Sequence, residues 1–212
     1  MESLVDIYNK LLSGFGEQHW WPVTSDNKRF EVIIGAILTQ NTAWTNVEKA
    51  IKNLRDSGLI DVEKIKRVDT KRLAERIRSS GYHNQKAERL KLMAGFLLKN
   101  DLSGMGLEEM RERLLGVKGI GPETADSIVL YAFGKASFVV DAYTKRVFSR
   151  MGLIKEKQDY GEVKQFFEDN MPRDVNVYKE YHALIVELGK NICRKKPLCG
   201  KCPLGNECKK LI

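Results

Sequence analysis

Val117-Lys118-Gly119-Ile120-Gly121-Pro122-Glu123-Thr124-Ala125 joins two segments of helical periodicity. Leu107, Met110 and Leu114 give the first segment an apolar face, and Ala125, Ile128, Val129 and Ala132 do the same for the second. Between them, Gly119 and Gly121 bring bare backbone N–H groups close to whatever approaches, and Pro122 suits the first turn of the following helix. Donors gathered at a helix start hold an anion without reading a base. Lys118 adds a positive charge beside them. Such a turn also occurs as a plain connection between helices, but the spacing of Gly119, Gly121 and Ala125 favours a helix-hairpin-helix that grips a phosphate backbone. Gly119, Gly121, Lys118 and Thr124 are its candidate DNA contacts.

Working outward, Phe138-Val139-Val140 leads into Asp141, and Ala142-Tyr143-Thr144-Lys145-Arg146-Val147 follows. An Asp at that point is a helix N-cap. The same position keeps a carboxylate ionised, as a group that stabilises a developing cation or orients water must be. Capping and catalysis are compatible, and Asp141 is the candidate catalytic residue.

The rest of the chain is helical in pattern. Val47, Ala50, Ile51 and Leu54 share a face, as do Ala87, Leu90, Ala94, Leu97 and Leu98, and Val177, Tyr181, Leu184, Ile185 and Leu188. Few stretches alternate as strands do. The expectation is an all-α protein of nine or ten helices, with residues 25–135 as one domain containing the hairpin at about 107–133. Residues 1–24 and 136–212 make a second helical domain that carries the cysteine loop.

With 212 residues, 42% of them hydrophobic, the chain is long enough to bury a core. Thirty-six Lys and Arg against 28 Asp and Glu give a formal charge of +8, which attracts polyanions and makes their binding salt-sensitive. Residues 1–14 read as an amphipathic helix and not as a secretory signal, and no apolar run is long enough for a bilayer, so a cytoplasmic location is expected. The four cysteines are spaced Cys193-x5-Cys199-x2-Cys202-x5-Cys208. In a reducing compartment this density favours metal ligation over disulfides, and four thiolates can enclose either zinc or a [4Fe–4S] cube.

The hairpin, Asp141 and the terminal cysteines together resemble the endonuclease III superfamily of helix-hairpin-helix DNA glycosylases. Ile37-Leu38-Thr39-Gln40-Asn41-Thr42 and Gly81-Tyr82-His83-Asn84-Gln85-Lys86-Ala87 extend the resemblance over nearly the whole chain. It implies a two-domain fold, with a six-helix barrel domain and a helical iron–sulfur cluster domain. It also implies base flipping from double-stranded DNA and N-glycosidic cleavage by Asp141. The cysteine ligands Cys193, Cys199, Cys202 and Cys208 would then hold a [4Fe–4S] cluster with a structural role, although the first interval is one residue shorter than the family's usual one. Gln40 resembles the residue that fills the gap left by the flipped nucleotide, and a monomer is expected.

One departure bears on mechanism. Members that also cut the strand place a lysine nucleophile where this chain has Glu123, and a carboxylate cannot form an imine. Unless Lys118 or Lys145 substitutes, a monofunctional enzyme that uses water and leaves an abasic site is expected. His19-Trp20-Trp21-Pro22 and Ala43-Trp44 hold all three tryptophans. An indole face attracts a cationic ring such as 3-methyladenine, and this arrangement resembles the 3-methyladenine DNA glycosylase III subgroup. Trp20, Trp21, Pro22 and Trp44 would line its base pocket. His83 and His182 read as packing or surface residues, while His19 could bond a base. The same scaffold also serves glycosylases for mismatched thymine, uracil or oxidised bases, and a DNA-binding module without catalysis is the remaining alternative.

Overall fold

The structure, a computed structural model, describes residues 3–212. Eleven α-helices and no strands are found among the described residues. The number exceeds nine or ten because α4 (Val62–Arg67) and α5 (Thr70–Arg76) are short, separate helices, each started by its own Asp cap at Asp61 and Asp69. The chain divides into two compact units, one of residues up to Trp20 with Ala136–Ile212, the other Trp21–Lys135.

In the Trp21–Lys135 unit, α2 (Lys28–Leu38) is buried on every side from Phe30 onward, the signature of a central helix. It packs against α3 (Trp44–Asp56), α6 (His83–Leu97) and the segment after α8 (Pro122–Ser127). That segment, Ile128–Ala132, continues α8 as a π-helical turn with Ile128, Val129, Leu130 and Tyr131 buried. α4 and α5 pack on α6, and α7 (Leu107–Leu115) pairs with α8 to form the hairpin. The unit starts at Trp21, ahead of residue 25, for a local reason. Trp21 packs on Trp44 and Tyr131, and the buried Glu31 accepts hydrogen bonds from Thr24 N (2.9 Å), Thr24 Oγ1 (3.0 Å) and Ser25 N (2.7 Å).

The other unit contains α1 (Leu4–Phe15), α9 (Ala142–Met151), α10 (Tyr160–Asn170) and α11 (Val175–Asn191). Its core stacks Phe138 on Phe167 with centroids 4.2 Å apart, with Phe148 and Tyr181 edge-on around Phe167. Tyr181 is fully buried and donates its hydroxyl to Leu4 O at 3.1 Å, so α11 holds the start of α1. Gly189 lets α9 approach α11, because a Cβ there would stand 2.6 Å from the Tyr143 ring. Arg146 strengthens the contact by donating to Gly189 O (2.6 Å) and Cys193 O (2.8 Å). No helix among the described residues is long and apolar enough to cross a membrane.

Candidate functional site

The hairpin turn is tightened by Val117 N donating to Leu114 O and Ile120 N to Val117 O, both at 3.0 Å. Gly119 has φ +88°, which a side chain would strain, and the Arg89 side chain lies where its Cβ would be. Lys118, Gly119 and Gly121 are exposed. Thr124 is not: it is buried, and its hydroxyl accepts from Gln40 Nε2 at 2.9 Å. The same Nε2 donates to Gly119 O at 3.1 Å, and Gln40 Oε1 accepts from Arg89. Under the hairpin, Arg111 on α7 clasps the fully buried Asp126 on α8 through two hydrogen bonds of 2.8 and 3.1 Å. This bidentate pair fixes how the two helices cross.

Asp141 caps α9, as its position in the sequence indicates. Its Oδ1 accepts from Thr144 N (2.7 Å) and Thr144 Oγ1 (2.8 Å). Oδ2 is turned toward Nε2 of His182 on α11, 3.8 Å away. The carboxylate is therefore held on one oxygen by the helix start and presents the other. His182 is buried, which lowers its pKa, while the charge of Asp141 acts in the opposite sense.

The predicted aromatic group is partly assembled. Trp21 and Trp44 meet edge to face with centroids 5.0 Å apart, and Tyr131 lies 5.1 Å from Trp21 with its ring tilted by 57°. Gly35 makes room for them, since a Cβ there would fall 2.7 Å from the Trp21 ring. Trp44 is also oriented by its Nε1 donating to Glu48 Oε1 at 2.8 Å. Pro22 is exposed, and Trp20 belongs to the other unit. His19 is exposed and lies beside Glu17 at 3.8 Å. Glu123 occupies the exposed first turn of α8, where its carbonyl accepts from Ser127 Oγ.

All four cysteines are free thiols lining one small cavity of about 30 Å³, together with Arg150, Ile192, Pro197 and the chain end. Among the described residues, no three His, Cys, Asp or Glu side chains are grouped tightly enough for a single metal ion. The thiols are thus gathered round a common space. Burial raises the pKa of Cys202, and negative charge on Cys193, Cys208 and Cys199 would raise it further. Arg150 donates to Cys193 Sγ at 3.5 Å and Lys210 N to Cys208 Sγ at 3.3 Å, contacts that favour sulfur carrying negative charge.

Four site residues escaped the sequence reading. His182 falls in register with Tyr178, Ile185 and Gly189, all buried, so its place on the inner face of α11 was available from periodicity alone. Lys86 is 1% exposed and donates to Leu38 O (2.8 Å), Thr42 Oγ1 (2.7 Å) and Ser80 O (2.6 Å). Burial and the neighbouring Arg89 push its ammonium down to about 8. Arg89, one turn further along α6, reaches Gln40. Tyr82 is 69% exposed with φ +44°, an aromatic held out at the start of α6 in a strained backbone conformation. Gly81 before it marks the turn, but nothing in the sequence shows the ring to be outside.

With this geometry in hand, comparison with known proteins identifies the class. Residues 34–173 match the HhH-GPD superfamily of base excision DNA repair proteins, and the chain belongs to that family. It is 50% identical to the protein of Methanocaldococcus jannaschii named "Putative DNA repair glycosylase MJ1434", over 98% of this chain and 96% of that one. Its structure resembles H. pylori 3-methyladenine DNA glycosylase (MagIII) bound to 1,N6-ethenoadenine, with a TM-score of 0.75 and 34% identity, covering 87% of this chain and 96% of that chain. An endonuclease III–DNA complex shares the fold at a TM-score of 0.85 and 23% identity, over 98% and 94% of the two chains. The expected all-α helix-hairpin-helix glycosylase fold is thus the observed one, and the likeness to the 3-methyladenine subgroup holds.

Proposed function

We propose that this chain is a monofunctional DNA glycosylase that flips an alkylated purine such as 3-methyladenine out of double-stranded DNA. It hydrolyses the N-glycosidic bond and leaves an abasic site. The observation that carries the choice of base is the edge-to-face pair of Trp21 and Trp44 backed by Tyr131. Indole faces bind a ring bearing positive charge more strongly than a neutral one. The ethenoadenine named with the H. pylori enzyme is itself a purine modified by alkylation chemistry.

In this reading the hairpin holds one strand through the backbone of Gly119 and Gly121 with Lys118 alongside, and Gln40 fills the gap left by the extruded nucleotide. Alkylation has already weakened the glycosidic bond, so little protonation of the leaving base is needed. Asp141 then stabilises the oxocarbenium-like sugar through Oδ2, the oxygen that the helix cap does not use, and orients the attacking water. Glu123 supplies no amine, so no imine forms and the strand stays intact.

Cys193, Cys199, Cys202 and Cys208 would hold a [4Fe–4S] cluster, a reading supported by the four thiols lining one cavity and by the donors that Arg150 and Lys210 offer to Cys193 and Cys208 sulfur. When bound, the cluster supplies a covalent tie between the end of α11 and the C-terminal loop. Base excision itself consumes no electrons.

The test is incubation with methylated duplex DNA, chromatography of the released bases, and gel analysis of the strand. Release of 3-methyladenine with uncut strands is expected. Absence of that base, or release instead of thymine or uracil from mismatches, overturns the assignment.

A further inference from the structure

Gln40 is saturated inside its own unit. Its Oε1 accepts from Arg89, and its Nε2 donates to both Gly119 O and Thr124 Oγ1 of the hairpin. The loop it stands on is fixed from the same helix: Lys86 of α6 bonds Leu38 O before Gln40 and Thr42 Oγ1 after it. Asn41, between them, has φ +53°. Arg89 lies one turn beyond Lys86 and runs along the bare face of Gly119, with Nε, Cγ and Cδ all within 3 Å of where a Cβ would be. One guanidinium thus touches both the phosphate-gripping turn and the side chain read above as the gap filler.

We propose that Arg89 is the positioning residue for Gln40. It fixes which end of the amide faces the hairpin and holds the side chain extended beside the turn, so that Gln40 enters a gap in the duplex from a single conformation. A free glutamine samples many rotamers, and insertion from one of them wastes less binding energy on ordering. Gly119 is glycine for a second reason in this account: any side chain there displaces Arg89 and so releases Gln40. The proposal rests on the gap-filling reading of Gln40, and the experiment separates the two.

The probe is a duplex carrying a tetrahydrofuran abasic analogue, with 2-aminopurine opposite it, compared with an undamaged duplex of the same sequence. The readouts are the ratio of the two affinities and the 2-aminopurine fluorescence of the bound complex. Arg89→Met is expected to lower the ratio at least five-fold and change the fluorescence, whatever the affinity for undamaged duplex loses with the charge. In a Gln40→Ala background the same substitution is expected to have no further effect, and Arg89→Lys, which keeps a donor for Oε1, to restore part of the ratio. Equal losses in both backgrounds, or a loss confined to undamaged binding, overturn the role of Arg89 while leaving Gln40's intact. If Gln40→Ala leaves the ratio unchanged, the gap-filling reading itself falls. Should Arg89→Met fail to fold, the comparison of Arg89→Lys in the two backgrounds decides in the same way.

Discussion

Oδ2 of Asp141 faces Nε2 of His182 across 3.8 Å, and the two side chains are 12% and 9% exposed. A charged carboxylate and a buried imidazole this close share one electrostatic environment. Burial lowers the pKa of the imidazole, against the pull of the acid. The folded-state pKa of His182 lies below its ordinary value of 6.5, so the unfolded chain takes up a proton that the native one refuses. The stability this residue contributes is present above pH 6.5 and is lost as pH falls toward the lower, folded value. The melting temperature is therefore expected to drop between pH 7 and pH 5, and His182→Gln to flatten that slope. An unchanged slope in the variant would show that other groups dominate acid unfolding.

Asp141→Asn keeps the cap, because an amide oxygen still accepts from Thr144, but removes the charge that the proposed mechanism sets opposite the sugar. Base release should fall by about 10²–10³-fold or more, with the affinity for undamaged duplex unchanged or increased. Single-turnover base release and a binding isotherm measure the two effects separately. Comparable activity in the variant would remove Asp141 from the chemistry.

At the hairpin, Gly119→Ala must place a Cβ at φ +88° and 2.6 Å from Arg89 Nε. The backbone cost alone is about 1–2 kcal/mol. Weaker duplex binding is expected together with a lower melting temperature. Lys118→Ala, at an exposed position, should leave stability alone and reduce the salt dependence of binding by about one phosphate contact. A salt titration of each variant distinguishes loss of geometry from loss of charge.

Removing Arg111 takes a bidentate cation from a carboxylate that has no exposure to water. Arg111→Met is expected to destabilise the protein by about 3 kcal/mol, and Arg111→Met with Asp126→Leu to recover most of it, because replacing both partners leaves no buried charge. Urea unfolding of the two variants gives the answer. A double variant no more stable than the single one would show that the hydrogen bonds, and not the buried charge, set the cost.

Protein isolated without air is expected to be brown and to carry about four irons and as many acid-labile sulfides per chain. Cys199→Ser should lose them and loosen the C-terminal loop. Stoichiometric zinc in place of iron would contradict the assignment.

What the sequence disclosed was what depends on neighbours in the chain. The hairpin from Leu107 to Ala132, the Asp141 cap and the helical faces are written in spacings of three, four and seven, and α7, α8 and α9 lie where those spacings place them. Burial of Thr124 beneath Gln40 was not legible, because residues 40, 89, 119 and 124 meet only through the fold. The same holds for Trp21 and Trp44: proximity in a list of tryptophans indicated a group, but it is Gly35, on a third segment, that allows the edge-to-face contact. His182 is the intermediate case, visible as an inward position on α11 but not as the neighbour of a carboxylate forty-one residues earlier.

Gly35 gives the aromatic cluster an adjustable floor. The indole of Trp21 rests on bare helix, so a side chain at position 35 would displace the ring without altering any aromatic residue. Under the proposed function, divergence in the size of base accommodated can therefore begin from a buried position of α2, by growth of a side chain where none now exists.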